Sequence, residues 1–168
     1  WSAGDAELHA DLYNNIGAVL TDQEKFDQAR WYYRKALAIY EEEDWASSRS
    51  MMHYNLGDLY TLEGNYFEAE IEFFKSLRIG YDIESLEEIK WAYFGLYELE
   101  SALGSTEKAL EYHIKFHRFS DSLNELSTVK EIDNLSKVYE QERTEKQNLK
   151  LEAEAVALKL ENSTRSKN

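Results

Sequence analysis

Small and large apolar residues recur along this chain at a fixed interval of forty positions. Ala29, Ala69 and Ala109 mark the interval, and a similar register returns around each of them. The first unit carries Tyr13, Ile16, Gly17, Leu20, Phe26, Tyr33 and Ala36, and the second carries His53, Leu56, Gly57, Tyr60, Tyr66, Phe73 and Ser76. The third is the most divergent, with Tyr93, Leu96, Tyr97, Gly104, His113 and Phe116. Spacings of three and four within each unit place these residues on one face of a helix. The pattern predicts an all-α chain with helices near 5–21, 25–42, 46–62, 66–80, 84–103 and 106–120, paired antiparallel. Joints are expected at Thr21-Asp22-Gln23, Glu63-Gly64-Asn65 and Leu103-Gly104-Ser105. Gly17 and Ala29 flank the first joint, where small side chains are expected to let two backbones approach while Tyr33 and Leu20 fill the crossing.

After Asp121 the pattern changes. Aromatic residues give way to Glu, Lys, Gln, Leu and Ala, with Tyr139 the single exception, and one long helix is expected over 121–162 before a polar tail at 163–168. Leu123, Leu126, Val129, Ile132 and Leu135 form a stripe suited to capping the last repeat. A sparser heptad seam follows, with Ile132, Tyr139, Ala153 and Leu160 at one position and Leu135, Leu149 and Val156 at the other. Glu142 and Lys146 interrupt it. Such a helix, roughly 58 Å long between 124 and 162, is marginal alone in water and calls for a partner strand, which makes a homodimer the expected assembly.

Composition narrows the chemistry. The 168 residues contain no cysteine, which excludes disulfide scaffolds, thiolate metal sites and thiol catalysis. The net charge of −14 is uneven: residues 1–120 hold 11 basic and 23 acidic side chains, residues 121–168 hold 8 and 10. An acidic segment of this kind repels phosphate backbones, so no direct nucleic-acid binding is expected. The same excess fits either plain solubility or a basic or amine-bearing ligand. His113 and His117 stand at i, i+4 spacing but occupy apolar and aromatic positions of the third unit, so no metal is assigned to them. Paired carboxylates such as Glu87 and Glu88 read as a solvated face. With no phosphate loop and no nucleophile elbow, no catalytic residue and no cofactor is expected. The chain opens on Trp1 and has no run of eighteen apolar residues, so it reads as a fragment, with Trp1 a remnant of an upstream repeat.

The register of a large apolar residue, Leu-Gly, Tyr, then Ala, aromatic and Ala resembles the tetratricopeptide repeat (TPR) family. The resemblance implies a right-handed superhelix of three helix-turn-helix repeats over 1–120, at about 10–43, 50–83 and 90–123. The family unit is about 34 residues, so the longer interval here is read as longer helices. Ile83 to Tyr93 contains no breaker, and the chain has no proline to stop the second helix of a unit. In the family, a second face of each first helix lines a groove for a protein or peptide. Here that face holds Asn14 and Asn15, then Tyr54, Asn55 and Asp58, then Trp91, Phe94 and Glu98. TPR domains that clamp acidic chaperone tails use Lys and Arg in the groove, where this chain has Asn14, Ala18, Met51 and Gly95, with Asn55 alone retained.

The whole chain is similar to the sensor halves of Bacteroidetes-type signalling regulators, in which a TPR domain runs into a long helix, a membrane span and a LuxR-type or histidine-kinase output. The segments that carry this resemblance are His117 to Leu126 and Lys130 to Leu160. It implies a non-catalytic sensor domain on the periplasmic side of a bacterial inner membrane, whose C-terminal helix passes the signal onward in a homodimer. A soluble cytoplasmic TPR adaptor responding to a peptide is the alternative.

Overall fold

A turn recurs every twenty residues through the first two-thirds of the chain. In the computed structural model, which describes residues 3–165 apart from the side chains of Ala3, Tyr139, Glu142 and residues 150–165, six helices follow one another. These are α1 (Ala3–Asp22), α2 (Phe26–Glu42), α3 (Ala46–Glu63), α4 (Tyr66–Asp82), α5 (Leu86–Ala102) and α6 (Thr106–Arg165). Between them Glu24, Asp44, Gly64, Glu84 and Gly104 adopt positive φ, from 53° to 81°. After each, the next N–H reaches the carbonyl five residues back: Lys25 to Leu20, Trp45 to Tyr40, Asn65 to Tyr60, Ser85 to Gly80 and Ser105 to Glu100, all at 2.8–3.0 Å. This is the Schellman closure, which satisfies carbonyls that a helix end leaves without partners.

That turn corrects two expectations. The segment Ile83 to Tyr93 is not continuous helix, because Glu84 turns left-handed at φ 53° and α5 begins only at Leu86. No proline or glycine is needed there, since the Ser85 side chain accepts a hydrogen bond from the Glu88 N–H and caps the new helix. Conversely, the sixth turn does not form. Asn124 stands twenty residues after Gly104, yet α6 passes through it, so the helices expected over 106–120 and from 124 are one element.

The repeats form one compact unit up to Leu123, and the residues from Asn124 onward form a second. In the first, α1 to α5 each pack on the next, α3 also touches α1 and α5, and rings of α5 meet rings at the start of α6. Ala29 and Ala69 are fully buried and Ala109 nearly so, as the alanine interval requires. Gly17 has a different task from the one expected. A Cβ there would lie 2.6 Å from the ring of Tyr33, so the glycine makes room for a ring and not for a backbone crossing.

In the second unit, Leu126, Val129, Ile132, Leu135 and Leu149 are all exposed, while Leu123, the first residue of the stripe expected as a cap, is half-buried in the first unit. The seam positions Tyr139, Ala153, Val156 and Leu160 lie outside the described side chains, as do the last three residues of the polar tail. No helix among the described residues is long and apolar enough to cross a membrane.

Candidate functional site

The first helices of the three units bring equivalent positions side by side. Residues forty apart occupy matching places, so Asn14, Tyr54 and Phe94 form one row, Asn15, Asn55 and Gly95 a second, and Ala18, Asp58 and Glu98 a third. Within each helix the first two rows are adjacent residues, and the third lies about one turn further along, because 3.6 residues complete a turn.

Asn14 and Asn55 meet directly. The Asn55 side-chain N–H donates to Asn14 Oδ1 at 2.9 Å, so one half of this amide is already used to join α1 to α3. Asn15, expected beside them, is exposed. The aromatic members also come together. Tyr54 lies against Phe73 (ring centroids 5.7 Å) and Trp91 (6.3 Å), and Trp91 against Phe94 (5.9 Å). Phe94 turns partly inward onto Phe116 of α6 at 5.2 Å. It therefore serves packing as much as the face, whereas Trp91 is 41% exposed.

Between α3 and α5 these side chains enclose a concavity of about 340 Å³ lined by Met51, Tyr54, Asn55, Glu87, Glu88 and Trp91. Four of the six follow from the repeat register. Glu87 and Glu88 do not; Glu87 is exposed, as a solvated face implies, whereas Glu88 is half-buried. Glu87 accepts hydrogen bonds from Lys90 Nζ and from the Trp91 indole N–H, each at 2.7 Å. The Lys90 bond is the main cause that holds its carboxyl below the ordinary value. Glu88 is half-buried, and burial pushes its carboxyl up. Two adjacent carboxylates thus have their proton affinities driven apart by their settings. The signal in the sequence was faint: an acidic first turn after Ser85, four residues before Trp91.

The third row gives the face its field. Burial, and then repulsion from Asp22, raise the pKa of Asp58, while burial, and then repulsion from Asp58, raise that of Glu98. Burial with Glu98 and Asp58 nearby also pushes the Tyr54 phenol up. Among the described residues, Arg30, Arg49, Lys75, Arg78, Lys90, Lys108 and Lys115 pair with other carboxylates, and none of the ion pairs includes Asp22, Asp58 or Glu98.

Neighbouring positions of this face are structural. Thr21, Thr61 and Ser101, again forty apart, each donate to the carbonyl four residues back, on Gly17, Gly57 and Tyr97 respectively, at 2.8–3.0 Å. Tyr40 donates to Asp11 at 2.7 Å and ties the end of α2 to α1. His113 and His117 approach to 3.1 Å through their Nε2 atoms, with the His113 ring tilted against Tyr97 at 4.8 Å. Among the described residues no group of three or more His, Asp or Glu side chains is placed to hold a metal ion.

Residues 9–43 match the tetratricopeptide repeat family. No curated protein shows significant sequence similarity to the chain. Among solved structures, BtubC (BKLC) from P. vanneervenii aligns with a TM-score of 0.61 at 21% identity, over 68% of this chain and 48% of that one. The TPR domain of Arabidopsis FLU aligns with a TM-score of 0.63 at 17% identity, over 70% of this chain and 98% of that one. The chain therefore spans about half the length of the former and nearly all of the latter. At these identities the likeness is one of fold, and the fold is that of the tetratricopeptide repeat.

Proposed function

We propose that this chain is a non-catalytic TPR sensor domain that binds a protein or peptide on its first-helix face and passes the event onward through its C-terminal helix. The observation that carries the binding half is the concavity at Met51, Tyr54, Asn55 and Trp91. It has exposed aromatic surface for anchoring and an amide whose carbonyl oxygen is left over from the Asn14 bond. The signalling half is supported by α6, which is both the second helix of the third unit and the long helix beyond it, with no turn at Asn124. Ile132, Leu135 and Leu149 are about 60% exposed, as unpaired seam positions of a homodimer would be in a single copy. A membrane-anchored bacterial regulator with the domain on the periplasmic side accommodates both halves. Groove occupancy would then shift the pairing of two such helices.

Panning a random peptide library against the chain tests the binding half. Enriched peptides should lose affinity for Tyr54→Ala and Trp91→Ala, and peptides that bind both variants as well as the parent would defeat the groove assignment. Sedimentation of the chain with and without residues 136–168 tests the signalling half. A dimer that becomes a monomer on truncation is expected, and a monomer at high concentration in both forms rejects it.

A further inference from the structure

The concavity between α3 and α5 has the chemistry of a cation receptor. Tyr54, Trp91 and Met51 line it, and so do Glu87 and Glu88. An aromatic face attracts a desolvated ammonium or guanidinium, and a carboxylate beside it strengthens the hold. The chain supplies its own example. Lys90 Nζ lies 4.5 Å from the centroid of the Trp91 ring and 2.7 Å from Glu87 Oε1, so this ring and this carboxylate already hold one ammonium. Lys90 does not line the concavity, which leaves the space beside Tyr54 and Glu88 for another.

The surroundings continue the same preference. One helical turn beyond Tyr54 stands Asp58, and Glu98 and Asp22 bear on it electrostatically without any cation paired among them. Their mutual repulsion is a cost that a basic ligand would remove. Residues 1–120 as a whole carry 23 acidic against 11 basic side chains, which steers cations toward the domain and anions away.

Building on the peptide-binding reading above, we propose that the partner segment is an extended basic peptide, with one lysine or arginine side chain seated in the concavity beside Tyr54, Trp91 and Glu88 and a second facing Asp58 and Glu98. Pocket and carboxylate are about 6 Å apart along α3, and an extended strand advances about 3.3 Å per residue. The two basic residues are therefore about two positions apart.

The test is calorimetric titration of the full 168-residue chain with three short synthetic peptides in which Lys, Gln or Glu alternates with Ala, and with the Lys peptide acetylated on its side chains. The Lys peptide should bind at least roughly tenfold more tightly than the Gln peptide, and acetylation should abolish the difference. Trp91→Ala and Asp58→Asn, each checked for unchanged helicity, should each weaken the Lys peptide by about three- to tenfold. Equal affinity for Lys and Gln peptides overturns the proposal, as does Lys binding that is indifferent to Trp91→Ala and Asp58→Asn, which would be unspecific attraction to an acidic surface. Tight Trp91-dependent binding of the Gln or Glu peptide would overturn the basic preference while leaving the groove as a peptide site. Absence of binding by all of these peptides overturns the proposal too, and the library panning then judges the groove on its own.

Discussion

The second and third units meet the same packing demand with opposite residues. In the second, the ring of Phe73 is 1% exposed and lies between two glycines: a Cβ on Gly57 would approach it to 2.7 Å, and one on Gly95 would run into it. In the third, the equivalent of Phe73 is His113, half-buried, and the equivalent of Gly57 is Tyr97, its ring tilted against His113 at 4.8 Å. A second pair of positions is exchanged as well. His53 and Glu72 form an ion pair at 2.6 Å where the third unit has Tyr93 stacked on Tyr112 and the first has Tyr13 beside Tyr32. What repeats is therefore the place of contact and the volume that two side chains must share. The enclosed Phe73 ring has glycine on both sides, whereas the half-buried His113 tolerates tyrosine.

The comparison breaks most strongly at the enclosed ring. Phe73→Ala should cost about 3–5 kcal/mol, because the cavity it leaves is walled by α3 and α5 and cannot collapse. His113→Ala should cost about 1 kcal/mol or less. Urea denaturation monitored by circular dichroism separates the two, and equal losses would refute the view that enclosure sets the cost.

Gly95→Ala comes next. The added methyl meets the Phe73 ring with no open side for it to move to, so a loss of about 1–3 kcal/mol is expected. The change lies in the third unit, yet it should be rescued in part by shrinking a residue of the second, in the double variant Gly95→Ala with Phe73→Leu. Additive losses in that pair would show that the two residues do not share a contact.

The ion pair gives the third test and the one with a pH signature. Burial alone would raise the Glu72 carboxyl, but hydrogen bonds from His53 and Lys75 outweigh it and bring the carboxyl below its ordinary value. A depressed carboxyl contributes stability that is fully present above its unfolded pKa and is lost as pH falls through the folded one. Glu72→Gln should thus cost about 2 kcal/mol at neutral pH, and the gap between parent and variant should close in acid. Tyr112→Phe, at the same place in the third unit, should show no such dependence. Thermal melts across an acid series provide the readout, and a gap that persists unchanged to low pH would reject the assignment.

Much of this was legible beforehand, for identifiable reasons. The helices, their pairing and the buried alanines follow from spacing, since helical periodicity and a fixed register of small residues depend on the local chain alone. Tyr54, Asn55 and Trp91 follow from the same register. What could not be read is which residue answers which across two units. Gly95 looks like a gap in the third unit's pattern until the Phe73 ring is seen against it. Glu88 looks solvated in the sequence but is half-buried in the structure. Glu100 stands where the earlier units have Leu20 and Tyr60, and only the structure shows it 2% exposed with Lys108 at 3.2 Å. Charge pattern announces a surface and gives no sign of burial. The breaks between units were placed but their geometry was not legible, for another reason: Asp44 and Glu84 take a left-handed conformation that sequence assigns to glycine.

That last point yields the smallest and cleanest comparison, between the turns within units and those between them. Gly64 and Gly104 hold the left-handed position within the second and third units, while Asp44 and Glu84 hold it between units, where a Cβ makes the conformation costly by about 1 kcal/mol. Glu84 is exposed and its N–H bonds to the Tyr81 carbonyl, a bond that a glycine keeps. Glu84→Gly should therefore remove backbone strain, offset in part by the greater freedom of glycine in the unfolded chain. The net gain expected is about 0.5 kcal/mol, or a rise in Tm of about 1–2 °C. The mirror change, Gly104→Ala, has open space around its Cβ, so any loss it causes reports the backbone conformation alone. Stabilisation by the first and destabilisation by the second, in melts of the same chain, would establish that all the turns are one motif filled by different residues. If Glu84→Gly instead destabilises the domain, the carboxylate contributes something at the second joint that its backbone geometry does not account for.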